Sequence, residues 1–219
     1  MARLTWDTEG KKLYETGTKM GVLYPMTESG YGAGVAWNGL TAVTESPSGA
    51  ESTKLYADDI KYLDLTSLEE FGATIEAYTY PDEFAECDGS ASLTEGITIG
   101  QQDRKSFGFC YRTTLGNDTQ GNAYGYKLHI VYGAKATPSE KSYSTINDSP
   151  DAVTFSWEVT TTPVPVEGHK PTSCIIIDST KTKKAILDAI EKKLYGDETD
   201  GATLPTPAEI LQIIATNAG

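Results

Sequence analysis

The stretch 152–161, AVTFSWEVTT, limits the possible folds more than any other part of the chain. Val153, Phe155, Trp157 and Val159 alternate with Thr154, Ser156, Glu158 and Thr160. Only an extended strand has a side-chain period of two, so the apolar residues share one face and the polar ones the other. A helix would scatter the same residues around its circumference. The segment predicts a strand with one buried face, and such a strand needs neighbours.

Candidates for those neighbours recur. Residues 73–80 (ATIEAYTY) alternate loosely, 106–114 (SFGFCYRTT) are aromatic and β-branched, and 174–177 (CIII) are short and apolar. In 126–132 (YKLHIVY), Leu128 and Ile130 face one way and Lys127, His129 and Val131 the other. Gly, Asn, Asp and Pro separate these runs, and no strand–helix–strand rhythm links them. The pattern predicts a mainly β chain, an antiparallel sandwich or barrel.

Helical spacing appears only late. Over 178–196, Ile186, Leu187, Ile190 and Leu194 fall on one helix face, with Ser179 or Thr180 as the expected cap and Gly196 as the stop. In the extension 197–219, Thr206, Pro207 and Glu209 make a capping box that opens a short helix. GDETDGATLP between the two reads as a flexible acidic connection. No internal repeat is visible, and residues 1–219 are expected to form a single domain.

Charge excludes some partners. The chain carries a net −13; residues 170–219 hold 6 basic and 7 acidic residues, so the acidity lies in the part before them. Tight phosphate binding needs clustered Lys and Arg, which such a surface lacks. It remains compatible with DNA sliding past without sticking. No apolar run is long enough to span a membrane, and the N-terminal MARLTWDTEGKK shows no secretory signal. Cys87, Cys110 and Cys174 are odd in number and widely spaced, which reads as three free thiols in a reducing compartment.

Chemistry-bearing motifs are sparse. His129 lies mid-strand and His169 beside Gly168, and neither has a partner at zinc-ligand spacing. A Cys–His pair that meets only in space stays open at this level. The glycines of 30–34 (GYGAG) fit no phosphate or dinucleotide loop and mark a bend or close packing point. Asn117-Asp118-Thr119 and Asn147-Asp148-Ser149 match a glycosylation pattern but read as turns.

Two segments stand apart. Residues 38–67 open with Pro, Gly and Ser and then present Leu55, Tyr56, Ile60, Tyr62, Leu63 and Leu65. The segment reads as a long loop that is disordered, covers its own core or docks on something else. Residues 82–88 place Asp82, Glu83, Glu86 and Asp88 within seven positions after a proline. Their spacing is wrong for a calcium loop, and so crowded a turn offers no apolar pocket to raise one carboxyl as a general acid. A wet acidic turn is the expectation.

Taken together, WDTEGKKLYETGTKMGVLYP, GVAWNGLTAVTESPSGAESTKLYADDIKYLDL, EEFGATIEAYTYPDEFAECDG, GQQDRKSFGFCYRT, YGYKLHIVYGAKATPSEKSYSTINDSPDAVTFSWEVTTTPV and the tail from IDSTK to LPTPAEI resemble, in order, the major tail proteins of long-tailed, non-contractile bacteriophages of Gram-positive hosts. The resemblance implies a β-sandwich or half-barrel of the tail-tube type with a flanking helix. It implies six copies per ring, with inner strands completing one barrel, and rings stacked into the conduit for genome DNA. It implies no enzyme and no cofactor. The implied partners are further copies, the tail tip, tape measure and tail terminator proteins, and DNA as passing cargo. The implied location is the virion tail, after synthesis in the host cytoplasm. Within that reading, Leu55, Tyr56, Asp58, Asp59, Ile60 and Tyr62 are candidates for the contact between rings. Glu76, Asp82, Glu83, Glu86 and Asp88 are candidates for the lumen wall. The competing reading is a monomeric β-sandwich binding module, an adhesin or carbohydrate binder with exposed aromatic residues as its platform.

Overall fold

The computed structural model describes residues 3–146, 148 and 151–217. The chain forms β1 (Leu13–Thr27), β2 (Gly30–Tyr31), β3 (Val35–Trp37), β4 (Leu40–Glu45) and β5 (Ser48–Gly49). There follow β6 (Ser52–Ala57), β7 (Ile60–Thr66), β8 (Glu69–Glu70), β9 (Gly72–Ala77), and, after a short 3-10 turn at Asp82–Phe84, β10 (Ala91–Thr94) and β11 (Ile97–Ile99). The long strands β12 (Phe107–Asn117) and β13 (Gly121–Ala136) come next, then β14 (Phe155–Thr161), β15 (Cys174–Asp178) and the helices α1 (Lys184–Tyr195) and α2 (Pro207–Asn217).

The main sheet runs β2-β1-β12-β13-β14-β9-β4, all antiparallel, with β3 also on β1 and β15 also on β13. β3 and β4 sit at opposite extremes of this order, yet only Asn38 and Gly39 separate them in the chain. The sheet must therefore curl until its ends meet. Tyr78 N–H donating to Gly39 O and Trp37 Nε1 donating to Thr79 O (3.0 Å) hold the closure. The fold is mainly β, an antiparallel half-barrel with two helices.

Two cores result. Inside the curl lie Leu23, Trp37, Ile75, Phe84, Phe107, Phe109, Val131, Trp157 and Val159, with the aromatic rings mostly edge to face. Outside it, Val22, Tyr24, Cys110, Leu128, Ile130 and Tyr132 meet Ile186, Ile190 and Leu194 of α1, together with Ile210 of α2. β12 and β13 are thus buried on both faces, which is why 106–114 shows no simple alternation. Gly133 (φ +59°) is the point where β13 exchanges β15 for β14, and a Cβ there would lie 2.2 Å from Thr162 O. Gly34 is a close packing point: its Cβ would meet the Tyr24 ring at 2.7 Å.

Several sequence expectations need correction. Residues 38–67 are not a loop but strands β4 to β7, because β6 and β7 pair with each other to form a hairpin. α1 begins after Lys183, not at Ser179 or Thr180, because the Asp178 carboxylate accepts from Thr180 N–H (2.9 Å) and hydroxyl (2.6 Å) and fixes a turn there. Gly196 does end α1, at φ 72°. The acidic connection is tied down. Asp197 accepts from Thr199 and Asp200 N–H, Ala202 O accepts from Gly34 N–H, and Leu204 is buried. The capping box of α2 forms as expected, with Glu209 accepting from Thr206 N–H and returning its own N–H to the Thr206 hydroxyl. α2 packs on its own domain, with Ile210 buried and Lys193 paired to Glu209 at 2.8 Å. Of the two glycosylation-type triplets, Asn117 builds a turn by accepting from Gln120 N–H (2.6 Å), and Asn147 lies outside the described residues.

Candidate self-assembly surfaces

The β6–β7 hairpin projects from the body as an arm. β5 pairs with β8 to close its base, and every residue from Ser52 to Thr66 is exposed. Asp58 and Asp59 form its tip with φ 50° and 61°, the left-handed pair that a two-residue hairpin turn requires. Tyr56, Ile60 and Tyr62 are 68%, 66% and 69% exposed, and Leu55 is also exposed. None of these belongs to either core, so the structure removes the reading in which they cover their own subunit. The arm is also sided: Leu55 pairs with Leu63 and Thr53 with Leu65, while Lys54 pairs with Asp64 on the other face. Leu63 and Leu65 were visible as apolar residues, but their place among the contact candidates needed the register.

The five acidic candidates separate. Asp82 and Glu83 are exposed at the 3-10 turn. Glu86 is exposed and pairs with Lys105 at 2.6 Å. Glu76 lies half-exposed on β9, on the face away from the inner core. Asp88 is buried, contrary to the expectation of a wet turn and of a lumen position. Its carboxylate takes Lys141 Nζ at 2.5 Å and Trp157 Nε1–H at 3.1 Å. Phe84 and Cys87 anchor the turn in the core beside it, which pulls Asp88 inward.

A second polar cluster joins β4 to β1, β12 and β13. Tyr111 Oη donates to Glu45 Oε1 at 2.5 Å, and His129 Nδ1 lies 3.0 Å from the same oxygen. His129 Nε2 lies 3.1 Å from Thr113 Oγ1, whose hydroxyl donates to Glu15; Lys127 completes the group at 2.5 Å from Glu15. Burial works against the Glu15 carboxylate, but hydrogen bonds from Lys127 and Thr113 outweigh it and hold its pKa below the usual range. Carboxylate, imidazole and hydroxyl are in relay order, as in a hydrolase. The Thr113 proton is committed to Glu15, however, and the imidazole stacks on Tyr111 with ring centroids 4.6 Å apart. These groups clasp strands together. Burial also pushes the Cys87, Cys110 and Cys174 thiols up to about 12, so they stay protonated at neutral pH. Among the described residues, no group of three or more His, Cys, Asp or Glu could hold a metal ion, and no helix is long and apolar enough to cross a membrane.

The third feature is a pair of open strand edges. Among the described residues, 13–19 of β1 pair only with β12, since β3 takes β1 from Gly21 onward. Among the described residues, β15 pairs only with β13. The run β1-β12-β13-β15 therefore has an unpaired edge on each side, with its two outer strands antiparallel to one another. Ile176 is exposed in the middle of β15.

No protein-family model matches the chain, and no curated protein does. Among solved structures, a chain of an extracellular contractile injection system, the PVC sheath-tube complex in its extended state, aligns with a TM-score of 0.31 and 14% identity. The alignment covers 73% of this chain and 88% of that one. An overlay that loose fixes neither the fold nor the function of this protein.

Proposed function

We propose that the chain is the structural subunit of a tail tube of the long-tailed phage type, assembled from stacked hexameric rings. The observation that carries this reading is the pair of open edges. Under rotation about a ring axis, β15 of one copy meets residues 13–19 of the next in antiparallel orientation, so the sheet can continue around a ring until no edge is left. Four strands per copy keep the alternation unbroken at every junction. The apolar arm supports the second contact, between rings. The reading needs no catalytic group or cofactor. The net −13 suits a conduit, since a carboxylate-rich wall repels DNA phosphates instead of holding them.

Negative-stain electron microscopy of the purified protein over a range of concentrations, with and without a tail-tip complex, tests the reading. Rings or tubes with a central channel are expected. A chain that stays monomeric with the tip complex present would move the weight to the monomeric binding module. Excising residues 51–67 and joining Ala50 to Leu68 leaves the β5–β8 base intact and is expected to give a folded subunit that makes no tubes.

Glu76, Asp82, Glu83 and Glu86 remain the carboxylates assigned to the lumen wall. Placing Lys at both Asp82 and Glu83 is expected to slow genome ejection more than assembly. Unchanged ejection from normal-looking tails would remove that turn from the lumen.

A further inference from the structure

A second hairpin projects from the body. Among the described residues, β10 and β11 pair with each other alone, and residues 92–100 are exposed throughout. Its faces differ. Ala91 pairs with Ile99, and Ile97 stands two residues along, so these three share a face; Ser92 and Thr98 pair on the other. Leu93 sits at a bulge and is 66% exposed. The segment 91–99 holds one charged residue, Glu95, in a chain of net −13. Two copies of so acidic a protein repel each other on average, and a hairpin this sparsely charged is a place where another copy can approach. An isolated two-stranded sheet with a bare apolar face is at best marginal in water, so the pattern calls for a cover.

The fold indicates what supplies it. β9 connects to the β6–β7 arm at its Gly72 end and, through the 3-10 turn, to β10 beyond its Ala77 end. In chain order the two hairpins flank β9, one joined to each of its ends. In the head-to-tail stack proposed above, this arrangement lets the arm of one copy meet the second hairpin of another. Both present an uncharged apolar face of similar extent: Leu55, Leu63 and Leu65 on the arm, Leu93, Ile97 and Ile99 on the hairpin. We propose that the arm lays this face on the β10–β11 hairpin of a copy in the adjacent ring. The inference rests on the stacked-ring reading above and names the receptor that reading lacks. One such contact falls far below the ~1,200 Å² of a stable interface. It holds only when repeated around a ring, which keeps free subunits apart.

The test is a chain carrying both Leu63→Cys and Ile97→Cys, polymerised, oxidised and run on a non-reducing gel. A ladder of covalent multimers is expected, because each copy then links to one ring above and one below. Either single variant should stay at the monomer band. Tubes that form without a ladder overturn the docking and leave the stacked-ring reading standing. An unsubstituted chain that forms no tubes even with a tail-tip complex overturns both. Independently, Ile97→Glu should stop stacking with an unchanged circular dichroism spectrum, and adding Leu63→Lys should restore it. Normal tube growth by Ile97→Glu alone also overturns the proposal.

Discussion

Strand β14 and the β6–β7 arm carry the same kind of sequence and meet opposite fates. β14 turns Trp157 and Val159 into the inner core and leaves Glu158 in water. The arm turns Leu55, Leu63 and Leu65 to one face in the same alternating manner, and that face stays bare. Periodicity states that a face is to be covered; it does not state by what. In β14 the cover comes from the rest of the chain. In the arm it is expected to come from another copy.

The sharpest way to break this comparison is to truncate both. Trp157→Ala is expected to cost about 3–5 kcal/mol in urea unfolding, as for a fully buried large aromatic. Leu63→Asp should stay within about 0.5 kcal/mol, as for an exposed position, while abolishing tube growth. Equal losses would mean that the arm is covered within its own subunit. The turn 82–88 offers the same contrast at smaller scale. Asp88→Ala strips Lys141 and Trp157 of their shared acceptor and should cost about 2 kcal/mol, whereas Glu83→Ala should be nearly silent. Smaller again is the α2 cap, where Thr206→Ala should cost about 1 kcal/mol by thermal unfolding.

The smallest expected effect is on acidification. Burial raises the Glu209 pKa, but Lys193 and Thr206 outweigh it and leave it lowered. Glu15 is lowered in the same way. A carboxyl lowered on folding adds stability that is complete above its unfolded pKa of about 4.3 and is lost as pH falls through the folded value. Unfolding midpoints should therefore begin to drop below about pH 4.5, less so in Glu209→Gln. A drop that begins near neutrality would point to another group.

Strands β9, β12, β13, β14 and β15, both helices, the capping box and the Gly196 stop were legible in the sequence, because each rests on neighbours within a few residues; β1, β10 and β11 were not. The sequence hid what depends on distant partners. The arm looked like a loop because its tip is Asp58-Asp59 rather than Asn-Gly, and a register shift after Leu55 breaks its alternation. Asp88 looked wet because Lys141 and Trp157, which draw it inward, lie more than fifty residues away. The clasp of Glu45, Tyr111, His129 and Glu15 comes from four separate strands, and no local spacing announces it.

The two hairpins are joined to opposite ends of β9, and the contact proposed between them has a consequence for any filament it builds. Arm-to-hairpin addition gives the filament a polarity. One end displays a crown of unsatisfied arms and the other a crown of vacant hairpins. A protein that starts the filament and one that stops it must then be chemically different, the first imitating one crown and the second the other. Neither could replace the other, and the direction of growth would be written into each subunit before assembly begins.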